Sequence, residues 1–213
     1  MTARKTSPWR PRFFEEHRVF ASVADAAARL AGEHAFPSPE MIDEALSASA
    51  GVRFVRKRQE DKTPYDTRIV LDGVVPTRAG SWHDLLNACV WATFPKTKLA
   101  IHRRQHALVV PGAPRRTPEQ DAIAMVDEGG ILLLQGAEAL VVGHAIFESF
   151  VEGWPTPRAA GIELGDVAAE GVDAAAASFL SDRGRLRSTS ELLRIELDRQ
   201  ALSRAEHERC QSP

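Results

Sequence analysis

The chain has no apolar run approaching the roughly 18 residues that a membrane-spanning helix needs, which excludes a helical membrane span. Its first residues, MTARKTSPWRPRFF, are basic but lack the apolar segment of a secretory signal. It has only two cysteines, Cys89 and Cys210, far apart and unlike in surroundings, which argues against a disulfide framework. GxGxxG, Walker A, CxxC and GxSxG patterns do not occur in a usable context. Gly73 and Gly80 are too scattered to cradle a phosphate alone. There is no zinc knuckle, no base-stacking platform and no internal repeat. These absences leave a globular protein without a ready-made nucleotide loop or nucleophile elbow.

What is present suits such a protein. The length of 213 residues, with 44% hydrophobic and 26% charged, predicts a single domain over residues 1–213 with a substantial core. The N-terminal residues and a polar tail from about 204 to 213 are expected to be flexible. Cys89 reads as a small core residue, and the unlinked cysteines fit a reducing cytoplasm. The net charge of −2 hides an asymmetry. Between Arg78 and Arg116 seven Lys/Arg face one acid, Asp84, so this segment carries +6 and the rest of the chain −8. A basic island in an acidic protein can attract an anion or form a solvated face.

Local signals give the element order. Residues 13–30 read as one or two amphipathic helices. Ser38-Pro39-Glu40 opens a helix that runs to about Ser49, where Gly51 ends it. Val52–Arg58 and Thr67–Leu71 read as strands that could pair as a hairpin, the second stopping at Asp72-Gly73. Thr117-Pro118-Glu119-Gln120 is a strong helix start. Gly129-Gly130 stops that helix before an apolar strand, Ile131–Leu134. Residues 137–151 predict a helix, 162–167 a strand or loop, 172–180 a small-residue helix, and Ser188 with Glu191 the start of a last helix. The expected architecture is α+β, a mainly helical single domain around a small sheet of Val52–Arg58, Thr67–Leu71 and Ile131–Leu134.

The most informative stretch is TRAGSWHDLLNACVWATFPKTK, residues 77–98. Its helix sets His83, Asp84 and Asn87 among Trp82, Leu85, Leu86, Val90, Trp91 and Phe94. Burying polar groups unpaired costs about 1–3 kcal/mol each, so the fold or a ligand must satisfy them. His83, Asn87 and Trp91 share one face. His83 can act as a general base, and Asn87 can orient a substrate, or the two can be a buried pair supporting the preceding turn. Asp84 lies three residues after Ser81, in the position of a capping-box acid.

Two further constellations matter. Lys98, His102 and His106 are spaced by four, but HRRQH has no acid and its arginines repel a cation, so an exposed basic face is expected there. His144 and Glu148, also four apart on an apolar helix, can form a base with its orienting carboxylate, two metal ligands, or a core histidine beside a surface acid. Asp127-Glu128 would add two carboxylates in the metal reading, although a helix end before a turn explains them equally.

The VPTR run, the WHDLLNACVWATFPKTK block, the aliphatic strand after DEGG, and GHAIFE together resemble the bacterial domain of unknown function 3025 family, over roughly Thr67 to Glu148. The resemblance implies a soluble bacterial protein and supplies no activity. The leading expectation is an enzyme, hydrolytic or phosphoryl-handling, with His83, His144 and Glu148 catalytic. Arg78, Asn87, Lys96 and Lys98 would hold an anionic small-molecule substrate, with no metal assigned and the cofactor unknown. The alternative is a non-catalytic module whose basic island binds nucleic acid or an acidic partner. Chemistry requires His144 or Glu148 to reach the same concave region as Arg78 and His83.

Overall fold

The computed structural model describes residues 7–60, 62–110, 115–135, 139–155, 158–168 and 171–197. The turn expected at Pro111–Pro114 and the tail from about 204 lie outside them. The architecture is mainly helical α+β. Among the described residues, eight α-helices, α1 (Ala24–Ala28), α2 (Pro39–Ala50), α3 (Tyr65–Asp72), α4 (Trp82–Thr93), α5 (Pro95–Ala107), α6 (Pro118–Gly129), α7 (His144–Glu152) and α8 (Val172–Ser181), accompany two small sheets. The first pairs β1 (Arg53–Arg56) with β2 (Val74–Thr77). The second has the order β4 (Leu140–Val141), β3 (Gly130–Leu134), β5 (Ala159–Gly165), β6 (Leu193–Ile195).

Helix starts with strong caps form where the sequence places them. Ser38 accepts from Met41 N ahead of Pro39, and Gly51 closes α2 at φ 68°. Thr117 and Gln120 complete a reciprocal capping box on α6. Residues 13–30 fold as two 3₁₀ turns, Phe13–Glu15 and Arg18–Val23, followed by the short α1, rather than as longer amphipathic helices.

Four expectations are corrected. Thr67–Leu71 is not a strand. It lies inside α3, whose one-sided burial hides Ile69 and leaves Leu71 68% exposed, and Gly73 at φ 65° caps the helix. Its β-branched residues suggested a strand, but the cap decides. There is consequently no hairpin: α3 carries the chain back so that β2 runs parallel to β1, Arg53 opposite Val74 and Arg56 opposite Thr77. The expected 137–151 helix starts only at His144, because Leu140–Val141 first pairs antiparallel with β3. The last expected helix is a 3₁₀ turn, Thr189–Glu191, that leads into strand β6. The expected three-stranded sheet is thus two separate sheets.

Helix α4 is the centre of the molecule, packed against α2, α7, α1 and α5. Trp82, at its start, stacks on Trp9 (5.3 Å) and meets Phe13 and Phe36 edge-on (5.0 and 5.2 Å), while its indole N–H donates to the Ser7 carbonyl at 2.9 Å. Cys89 is fully buried in the same helix, and burial pushes its thiol up to about 12.

Two of the island's seven cations, Lys98 and Arg104, turn inward, while Arg78, Lys96, Arg103, Arg115 and Arg116 stay exposed. Lys98 and His102 are buried, which corrects the expectation of an exposed basic face. Each has a carboxylate from another helix: Lys98 pairs with Asp127, and His102 Nδ1 bonds Asp66 at 2.8 Å. Arg104, also buried, bonds Glu119 and the carbonyls of Leu180, Asp182, Arg185 and Leu186, so that α5 clamps the end of α8. Among the described residues no helix is long and apolar enough to cross a membrane.

Candidate functional site

Three helix ends build the site. Near the start of α4, the apolar residues Trp82, Leu85 and Leu86 fix the helix in the core, and His83 emerges half-buried. At the end of α6, Asp127 and Glu128 precede Gly129-Gly130. At the start of α7 stands His144, with Glu148 one turn later.

Glycine brings the second and third ends together. Gly143 N and Val142 N both donate to the Gly130 carbonyl, at 2.9 and 3.0 Å. A Cβ on Gly143 would lie 2.4 Å from Gly130 N and 2.5 Å from Gly129 Cα. Only bare backbone allows that approach, and it sets Glu128 beside His144.

His83 Nδ1 bonds Glu148 Oε2 at 2.9 Å. That contact turns His83 Nε2 toward His144 Nε2, 3.0 Å away. His144 Nε2 lies 3.4 Å from Glu128 Oε2. One donor atom each from His83, Glu128 and His144 fall within 4.8 Å of one another. His144 is buried, and its Nδ1 has no hydrogen-bond partner among the described residues.

The electrostatics of the three groups differ. Burial, and next the charge of Lys98, hold His144 well below the usual histidine value, so it is neutral with one ring nitrogen's lone pair available. Burial also draws His83 down, but the bond to Glu148 and the charges of Glu128, Glu148 and Asp84 outweigh it, and its pKa is raised. Burial, reinforced by the neighbouring Asp127 charge, raises Glu128. Burial pushes Asp127 up as well, but the charge and hydrogen bond of Lys98 prevail and hold it well below the usual carboxylate range.

These groups face a cavity of about 390 Å³. His83, Glu128, His144 and Asp127 form one part of its wall, and Tyr65, Asp66, Asn87 and His102 another. Lys57, Arg78 and Arg116 are the exposed cations around it. Asn87 Nδ2 is 3.0 Å from the Tyr65 hydroxyl, while its Oδ1 is buried without a partner among the described residues. His83 and Asn87 therefore each have a partner, though not each other.

The residues singled out in the sequence are distributed as follows. His83, Asn87, Arg78 and His144 line the one cavity, and Glu148 stands behind His83. Arg78 is tied to Asp84 through its backbone N–H, Nε and Nη2, at 2.6, 3.0 and 2.7 Å. Asp84 thus spends its carboxylate on Arg78. Only the Ser81 half of the expected capping box forms, with Ser81 accepting from Asp84 N.

Lys98 and Lys96 do not form an anion clamp with Arg78. Lys98 is neutralised by Asp127, and Lys96 is exposed and absent from the cavity wall. The backbone amides at the start of α5 are taken by Asp173 of α8, which accepts from Lys96 N and Thr97 N at 3.0 and 2.8 Å. His102 and His106 do not share a ligand either, because His106 faces Thr67. The role of Glu128 and the contributions of Tyr65, Asp66 and Lys57 escaped a local reading. The one available signal was an acid pair directly before a double glycine.

Residues 52–142 match the family model described as a protein of unknown function, DUF3025, and the chain resembles that family. The match contains His83 and Glu128 and ends two residues before His144. No curated protein and no solved structure matches the chain.

Proposed function

We propose that this protein is an enzyme, hydrolytic or phosphoryl-handling, that acts on an anionic small molecule in the cavity between α4, α6 and α7. The observation that carries the reading is convergence. Two imidazoles and a carboxylate, brought from three separate helix ends, point at one space, and Glu148 fixes the ring of one of them. A cavity of about 390 Å³ suits a metabolite-sized substrate. Lys57 and Arg116 favour an anion near its wall, while Arg78, largely neutralised by Asp84, offers direction more than charge. Tyr65 and Asn87 supply polar contacts for the remainder of the substrate.

Lys98 and Arg104 are buried and paired with carboxylates, so these two cations are withdrawn from the surface that a nucleic-acid-binding module would offer, while the other five of the island remain exposed. A buried free thiol at Cys89 fits a cytoplasmic setting.

The test is a panel of phosphomonoesters, phosphodiesters and carboxylic esters, assayed with and without added divalent cations. Turnover of one class, lost in His83→Ala and lowered in kcat in Glu148→Gln, is expected. If no class turns over, and polyanions raise Tm equally in wild type and His83→Ala, the cavity is not catalytic.

A further inference from the structure

We infer that His83, His144 and Glu128 form a binding site for one divalent transition-metal ion of the zinc type. The donor set is two imidazole nitrogens and one carboxylate oxygen. This combination suits a borderline cation and leaves a coordination position open to the cavity.

Two of the three donor–donor distances fit a shared ion, and the third, His83 to Glu128, lies within 4.8 Å. Donors about 2.0–2.2 Å from one metal at a tetrahedral angle lie about 3.3 Å apart. Here the two Nε2 atoms are 3.0 Å apart, and His144 Nε2 is 3.4 Å from Glu128 Oε2.

Hydrogen bonding alone accounts for the arrangement less well. With Nδ1–H of His83 given to Glu148, its neutral Nε2 is a bare acceptor. His144 must then donate from Nε2, which leaves its buried Nδ1 a bare acceptor with no donor among the described residues. If His83 is instead doubly protonated, His144 accepts at Nε2, and its Nδ1–H reaches at best the Asp127 backbone, without a well-formed hydrogen bond. A metal ion resolves the contact between the facing nitrogens, because both Nε2 lone pairs then point at the cation.

Glu148 occupies the position of an outer carboxylate that orients a metal-bound imidazole through its other nitrogen. Asp127, next to Glu128 in the chain, cannot join as a ligand while Lys98 holds it. In the proposed enzyme such an ion would polarise a substrate oxygen or a bound water. The inference itself rests on donor geometry and stands whether or not the cavity turns over a substrate.

The experiment uses the full chain without a histidine tag. After dialysis against EDTA, Zn²⁺ is titrated by calorimetry and Co²⁺ by visible absorption. One equivalent should bind, with Co²⁺ giving ligand-field bands of a four- or five-coordinate site. His83→Ala and His144→Ala should each weaken Zn²⁺ binding about 100-fold, and Glu148→Gln about 10–100-fold. Glu128→Gln should weaken it at least about 10-fold, while His106→Ala should leave it unchanged.

Wild-type protein supplies a readout that no variant's folding can spoil. In ¹⁵N spectra of the imidazole rings, Zn²⁺ should move Nε2 of His83 and His144 and not the ring of His106. Substoichiometric binding, or a His83→Ala/His144→Ala variant that binds Zn²⁺ as tightly as wild type, would overturn the site. So would ring shifts confined to other histidines. Stoichiometric binding without turnover keeps the site and sinks the enzyme reading. Turnover by metal-free protein, unchanged by Zn²⁺ that does not bind, does the reverse.

Discussion

Two buried polar clusters of this protein are opposites. Around Arg104, five N–H donors meet five oxygens, and the guanidinium has nothing left to offer. Around His83 and His144, nitrogens face each other and a ring nitrogen is left over. Both clusters are tied to several elements, but only the second faces the cavity. A saturated cluster holds elements together, whereas an unsaturated one, held just as firmly, has capacity for a guest.

The contrast can be broken most forcefully at its saturated end. Arg104→Ala strands four carbonyls and leaves the half-buried Glu119 with only Arg183 at 3.8 Å, and should cost about 3–5 kcal/mol in urea unfolding, with Zn²⁺ affinity of the folded protein unchanged. A loss below about 1 kcal/mol would show that the clamp is ornamental.

Trp91→Ala should cost about 3–5 kcal/mol as well, because the ring is buried and stacked 5.4 Å from His102. Its N–H lacks a partner among the described residues, so truncation should cost toward the lower end.

The Lys98–Asp127 pair tests an intermediate case. Lys98→Met leaves a buried carboxylate alone and should destabilise by about 3 kcal/mol, while Lys98→Met/Asp127→Leu should recover at least part of that loss. Additive losses in the double variant would mean that the two side chains are not coupled.

The unsaturated cluster should respond chiefly to pH. In metal-free protein, His144 stays neutral well below 6.5 while the unfolded chain takes up its proton near 6.5. The unfolded state then binds more protons, so stability falls as pH drops below about 6.5. His83, with its pKa raised, works in the other sense: its contribution is full below 6.5 and is lost as pH rises through its folded value. Acid destabilisation should therefore shrink in His144→Gln and steepen in His83→Gln. Denaturant melts between pH 5 and 8 decide this, and parallel curves for all three proteins would remove the distinction between the rings.

What was legible in the sequence was local. Caps at Ser38 and Thr117 need only residues three apart and form as read, and Ser81 caps its helix without the Asp84 half of the box. The all-round apolar character of Trp82–Thr93 identified a buried helix without knowledge of its neighbours. His83, His144 and Glu148 were legible as polar anomalies on apolar helices, and the fold brings the three together. The fate of Lys98 was not legible, because its carboxylate arrives from 29 residues away. Neither was α3, where β-branched residues outvoted a glycine cap. Glu128 was visible only as one acid of a pair, since its relation to His144 depends on a backbone approach that no side-chain pattern reports.

That backbone approach has a consequence for inheritance. Where Gly143 rests on Gly129 and Gly130, one methyl group would push Glu128 and His144 apart together. The spacing of the two donors is therefore carried by residues with no chemistry of their own. A lineage could replace either donor and keep the fold, but one that widened the seam would lose the pairing at a stroke. Presence or absence of the three glycines should sort descendants of this chain more sharply than the imidazoles do.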